Sequence, residues 1–175
     1  MTSSARPAPR AIVALDPPRP AQWIVVNDGV MGGRSAGALQ LGERSLLFSG
    51  ALNTNGGGFA SCRSRSLEVA LAPFTAVALR VRGDGREYAC DLREEATVRG
   101  SGVTWKSRFV TVADEWIEVE LPLVSFAPTW RGTTLRPAGA AADAHFHHTV
   151  QSVGFTIADG RDGPFRLEVA AIGAR

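Results

Sequence analysis

Apolar and polar residues alternate with a period of two in four separate stretches of this sequence. No stretch of ten or more residues keeps apolar positions at helical spacing without a Gly or Pro interrupting it. Val77, Leu79 and Val81 alternate with Ala78, Arg80 and Arg82, and Ile117, Val119 and Leu121 with Trp116, Glu118 and Glu120. Val153, Phe155 and Ile157 follow, then Phe165, Leu167 and Val169 with Arg166 and Glu168 opposite. This rhythm turns one set of side chains into a core and the other toward water, as two antiparallel sheets packed face to face require. The expected fold is all-β, a jelly-roll or related sandwich of two antiparallel sheets. Further strands are expected at 12–15, 23–26, 38–41, 45–49, 59–65 and 108–112, and only the Ala-rich 139–144 stretch could form a helical turn. Gly83-Asp84-Gly85 and the run from Asp159 to Pro164 supply turn residues between strands, and each reads as a hairpin.

The chain has 175 residues, 45% of them hydrophobic and 21% charged, which fits one globular domain at 11–175 after a tail at 1–10. The net charge is +2, and Lys106 is the only lysine among the nineteen basic residues, which are scattered among seventeen acids. No basic stripe forms, so nucleic acid is not an expected partner. Apolar runs are far shorter than the roughly 18 residues a membrane helix needs, so no membrane insertion is expected. Prolines at 7, 9, 17, 18 and 20 break any targeting helix at the start, and a cytoplasmic location is expected. Cys62 and Cys90 both fall in strand-like segments, where free cysteines behave as small buried apolar residues.

Several patterns bear on chemistry. Gly33-Arg34-Ser35-Ala36-Gly37 matches G-x-S-x-G, but the loop-like NDGVM precedes it and the strand-like ALQLG follows. The strained strand-to-helix turn that exposes a nucleophile is missing, and a connection between strands is expected instead. His145 and His147 would share a face of an extended segment, with His148 beside them; a third ligand must come from elsewhere, with Asp143 near, but clustered histidines in a polar loop are more often solvated and no metal is assigned. Gly56-Gly57-Gly58 and Gly83-x-Gly85 precede strands and not helices, so they are not phosphate cradles, and no cofactor is implied. Trp105 and Trp130 sit in the most polar contexts of the four tryptophans and are candidate platforms for a sugar ring; the alternative is packing in the sandwich. Asn27, Asp28, Asn55, Arg63, Asp84 and Arg131 could converge at one loop-rich edge, or could satisfy backbone groups at bends.

Five ordered runs carry a family pattern: WIVVNDGVMGGRSAGAL, LLFSGALNTNGGGFASCR, VALRVRGDGREY, WIEVELPLVSFAPTWRG and VQSVGFTIADGRDGPFRLEVAAI. Together they resemble the complex I intermediate-associated protein 30 family over roughly 12–172. The departures are an extra glycine in 55–59, Trp130 where another aromatic is commoner, and the histidine cluster. The resemblance implies a galactose-binding-like jelly-roll sandwich and a role in assembly through protein binding, with no catalytic residues attached to its motifs. Met31 and Tyr88 join the candidate edge as signature positions. The candidate recognition edge is therefore Asn27, Asp28, Met31, Asn55, Arg63, Asp84, Tyr88, Trp105, Trp130 and Arg131. The expected function is non-enzymatic binding of a protein, with complex I subunits or intermediates as the implied partners. Carbohydrate recognition is the alternative, and a hydrolase using Ser35 is the third reading.

Overall fold

The computed structural model describes residues 8–15, 22–65, 67–98, 101–130, 133–135 and 149–175. Arg131, the three histidines and the 139–144 stretch lie outside them. The described strands run in chain order: β1 (Arg10–Val13), β2 (Trp23–Asn27), β3 (Ala36–Leu41), β4 (Leu46–Leu52), β5 (Ala60–Ser64), β6 (Val69–Ala70), β7 (Ala76–Arg82), β8 (Glu87–Val98), β9 (Ser101–Val110), β10 (Trp116–Pro122), β11 (Ala127–Trp130), β12 (Thr133–Thr134), β13 (Thr149–Val150), β14 (Ser152–Ile157) and β15 (Gly163–Ala174). Short 3-10 turns at Asp28–Met31 and Leu123–Ser125 are the only helical elements among the described residues.

The strands form a jelly-roll sandwich of two antiparallel sheets. The six-stranded sheet runs β10-β7-β15-β4-β3 with β1 added on β15, and the seven-stranded sheet runs β12-β11-β9-β8-β14-β5-β2. The alternation read from the sequence matches the burial. Val77, Leu79 and Val81 are fully buried, as are Val153, Phe155 and Ile157, while Arg80 and Arg82 face outward from β7. Phe48 and Phe165 meet in the core at 4.9 Å between ring centroids, and Phe109 meets Phe155 edge-on. Burying side chains of this size contributes about 1.5–3 kcal/mol each.

Both expected hairpins are corrected. β7 pairs with β10 and β15, whereas β8 pairs with β9 and β14, so Gly83–Gly85 carries the chain from one sheet to the other. The turn between β14 and β15 makes the same kind of crossing, because β14 pairs with β5 and β8 while β15 pairs with β4 and β7. Turn residues encode a reversal of direction, but which sheet receives the next strand depends on which inward face the core must cover. The strand expected at 108–112 starts earlier and ends earlier, at Ser101–Val110, as the partner of the long β8.

Cys62 and Cys90 are free and buried, as expected. They lie opposite Phe155 from either side of β14. Two strand spacings, about 9.6 Å, separate them, too far for a disulfide. Burial raises both thiols well above their ordinary pKa, so neither is poised as a nucleophile.

Candidate functional site

The motif residues at one end of the sandwich build two internal hubs. Asp28, wholly buried, follows directly on β2 and is the acceptor at the first. Its Oδ1 accepts the Ser35 N–H at 2.9 Å, and its Oδ2 accepts the Ser35 hydroxyl at 2.6 Å, the Gly58 N–H at 2.6 Å and the Phe59 N–H at 3.3 Å. Burial pushes the carboxyl up, but the Ser35 hydroxyl and these backbone donors outweigh it and hold Asp28 below its ordinary value. The surrounding glycines are consequences of this carboxylate. A Cβ on Gly33 or Gly57 would lie within 2.5 Å of Asp28 side-chain atoms, so no larger residue fits either position without displacing the hub. Ser35 Oγ also accepts the Asn53 N–H at 3.0 Å. Asn27 spans the two sheets by accepting the Gly37 N–H at 3.1 Å. Ser35 thus leads into β3 as a structural bridge, and the strand-turn-helix context of a nucleophile elbow is absent around it.

The second hub locks the two crossings together. Arg86, immediately after Gly83-Asp84-Gly85, is buried, and its guanidinium grips Asp159 in the other crossing through Nε at 2.8 Å and Nη2 at 2.5 Å. The same group donates to the carbonyls of Arg161, Gly163 (3.2 Å) and Pro164 (2.8 Å). Asp84 accepts the Tyr88 hydroxyl at 3.1 Å and the Arg166 N–H at 2.8 Å, tying β8 to β15. Burial, and then the neighbouring Asp84, raise the Tyr88 phenol so that it stays protonated and donating. The Arg86 fork holds Asp159 down at about 2.

Asp28 and Asp159 make the fold sensitive to acid. Both have folded pKa values below the unfolded ones, so they favour the fold above the unfolded value and lose that contribution as pH falls through the folded value. For Asp159, a fall from 3.8 to about 2 corresponds to about 2 kcal/mol, lost between roughly pH 4 and pH 2. Urea midpoints should be flat between about pH 7 and 5 and drop below about pH 4. An Asp159→Asn variant should lose part of that acid-dependent slope.

The open face of the seven-stranded sheet is a groove of about 890 Å³. Its floor consists of side chains alternating with core residues: Ala89, Asp91 and Arg93 on β8 point away from the core while Tyr88, Cys90 and Leu92 fill it. Three cross-strand rows result. Ser61, Thr156, Ala89 and Arg108 form one; Arg63, Gly154, Asp91 and Lys106 the next; Ser152, Arg93, Thr104 and Thr129 the third. Lys106 Nζ donates to both Asp91 oxygens at 2.7 Å and to Thr156 Oγ1 at 2.9 Å.

The candidate loops gather at one end, where the Thr54 N–H donates to Asp162 Oδ1 at 2.6 Å, but most of their polar side chains are bonded inward and the other described candidates lie elsewhere. Asn27 and Asp28 belong to the first hub, and Met31 closes the 3-10 turn beside it. Asp84 and Tyr88 belong to the second. Asn55 is exposed, its N–H donated to Asn53 Oδ1 at 3.0 Å. Arg63 and Trp130 line the groove. Trp105 does not: only 7% exposed, it packs in the core and donates Nε1 to Glu94 at 3.1 Å, so it offers no platform. Sequence reasoning missed Arg86, Asp159, Asp91, Arg93 and Lys106. Arg86 directly follows the GDG turn, a usable signal, whereas the groove residues emerge only when separate strands align.

The family model described as Complex I intermediate-associated protein 30 matches residues 15–169. Mitochondrial Complex I intermediate-associated protein 30 of Mus musculus is 29% identical over 172 residues, covering 87% of this chain and 51% of the mouse protein. The chain thus spans about half the length of that curated relative. Among solved structures, the family 11 carbohydrate-binding module of a Clostridium thermocellum cellulosomal cellulase superposes with a TM-score of 0.65 at 11% identity, covering 95% of this chain and 96% of that one. A family 30 carbohydrate-binding module superposes with a TM-score of 0.57 at 14% identity, covering 93% of this chain and 98% of that one. At these identities the likeness is one of fold.

Proposed function

The chain belongs to the complex I intermediate-associated protein 30 family, matched over residues 15–169, and from that premise we propose that it is a non-catalytic assembly module that holds a protein partner in its groove. Complex I subunits or their assembly intermediates are the partners this reading names, and the cytoplasm is where it places the chain. The groove carries the reading. Polar side chains and cations line it in an open concave surface, while the described motif loops are bonded internally. The non-catalytic part is supported by the bonding of Ser35 and the burial of both thiols. Among the described residues no helix is long and apolar enough to cross a membrane, so the reading has the chain approach its partner by surface contact.

Trp130, a half-buried ring lining the groove beside Thr129 and Thr133, favours carbohydrate recognition as a second reading, because an aromatic surface beside hydroxyls suits a sugar. One variant tests both. Thr104 lies in the middle of β9 facing the groove, with no side-chain hydrogen bond among those described, so Thr104→Trp should fill the space without disturbing the core. Tagged wild-type chain, incubated with detergent-solubilised respiratory membranes from its host, is expected to enrich complex I subunits, and the Thr104→Trp chain to lose most of that enrichment. Equal recovery by both removes the groove from the reading. Binding of neutral β-glucan oligosaccharides by the wild type, with no complex I subunits recovered, replaces it with the second.

A further inference from the structure

The charges on the groove floor are not balanced. Lys106 is paired with Asp91, and Arg108 with Glu87 at 2.7 Å. Arg63 and Arg93 line the same groove half-buried, and neither has an acidic partner among the described residues. They stand on β5 and β8, on either side of β14, opposite Gly154 and Ser152 respectively. Two strand spacings and a two-residue stagger set their Cα atoms about 12 Å apart.

The floor between them is bare at Gly154 for a physical reason. A Cβ on Gly154 would lie 2.3 Å from the Cys62 carbonyl oxygen, so no side chain can stand there. Two long guanidinium arms therefore flank a strip floored only by Gly154 and the small Ser152, partly shielded from water, where a forked contact to a carboxylate is stronger than on an open surface. No aromatic ring occupies the three central rows, since Trp105 and Tyr88 are turned into the core. Sugar rings held by stacking would find platforms only at the groove's ends.

We infer that the groove takes an extended polypeptide segment bearing carboxylates, with Arg63 and Arg93 as its anion-contacting residues. The inference rests on the protein-binding reading above and adds the charge of the segment that is held. A peptide of about ten residues crosses the seven strands.

A fluorescently labelled peptide of about ten alternating Glu and Ser residues serves as the probe, with the same peptide carrying Gln for Glu as the control. In anisotropy titrations the wild type is expected to bind the Glu peptide at least about tenfold more tightly than the Gln peptide, and to lose at least about tenfold of that affinity in the Arg63→Gln/Arg93→Gln variant. Arg34→Gln/Arg44→Gln removes the same charge from exposed sites outside the groove and should change the affinity less than about twofold. Urea midpoints of both variants should match the wild type. No binding of the Glu peptide, equal binding of the Gln peptide, or equal losses in the two variants overturns the inference. Displacement of the Glu peptide by oligogalacturonate at lower concentration than by unlabelled peptide also overturns it, in favour of an acidic glycan. A wild-type chain that enriches complex I subunits yet ignores the Glu peptide refutes the charge assignment and leaves the assembly reading standing.

Discussion

Replacing Arg86 with alanine is expected to destabilise the protein by about 3–5 kcal/mol, the usual cost of breaking a buried ion pair by removing one partner. The substitution leaves the Asp159 carboxylate, whose side chain is 8% exposed, without its fork, and strips the Arg161, Gly163 and Pro164 carbonyls of their shared donor. For a domain of this size each kcal/mol is worth about 2–4 °C, so the thermal midpoint should fall by roughly 10 °C or more. Arg86→Lys should recover little, because an ammonium cannot reproduce the planar fork that meets both Asp159 oxygens. Removing both charges in Arg86→Met/Asp159→Leu should recover part of the loss, since no stranded charge remains. If Arg86→Ala unfolds within about 1 kcal/mol of the wild type, the two crossings are not held by this pair.

The second large effect is expected at Asp28. Asp28→Ala leaves the N–H groups of Ser35, Gly58 and Phe59 and the Ser35 hydroxyl without their acceptor in a dry site. With about 1–3 kcal/mol for each buried donor left unsatisfied, and some relaxation, a loss of at least about 3 kcal/mol should appear in urea unfolding. Asp28→Asn is the sharper test. With its oxygen in the Oδ2 position the amide keeps three of the four donors but aims its NH2 at the Ser35 N–H, so it should cost about 1–3 kcal/mol, less than alanine, despite its matching shape. An Asn variant as stable as the wild type would show that charge and acceptor count at this position do not matter.

These two hubs change what the family motifs mean. Asn-Asp in one motif, the glycine run in the second and Gly-Asp-Gly in the third look from the sequence like exposed recognition loops. In the fold, Asp28 makes Gly33 and Gly57 obligatory, and Asp84 anchors Tyr88 and β15. Their job is to close the end of the sandwich. The groove proposed above as the recognition surface lies elsewhere, lined by residues such as Arg63 and Arg93.

Much of the fold was legible before any coordinates, because a strand's inward face is written in every second residue. Val77, Val153 and Phe165 declare their faces locally. The candidate site was legible only in part. Arg63 was found through its place in a motif, but nothing around Arg93 or Lys106 distinguishes them in sequence from other surface cations.

The amino-acid order alone determined the strand class, the inward faces, the fate of the cysteines as buried thiols and the family pattern, since each depends on neighbours or on ordered motifs along the chain. Only the tertiary structure decided that Arg86 meets Asp159 across 73 residues, that Asp28 meets Gly58 across 30, and that the turns cross between sheets. Strand order and sheet choice are settled by how the whole core closes, and no local pattern encodes which distant backbone or cation will stand beside a given side chain.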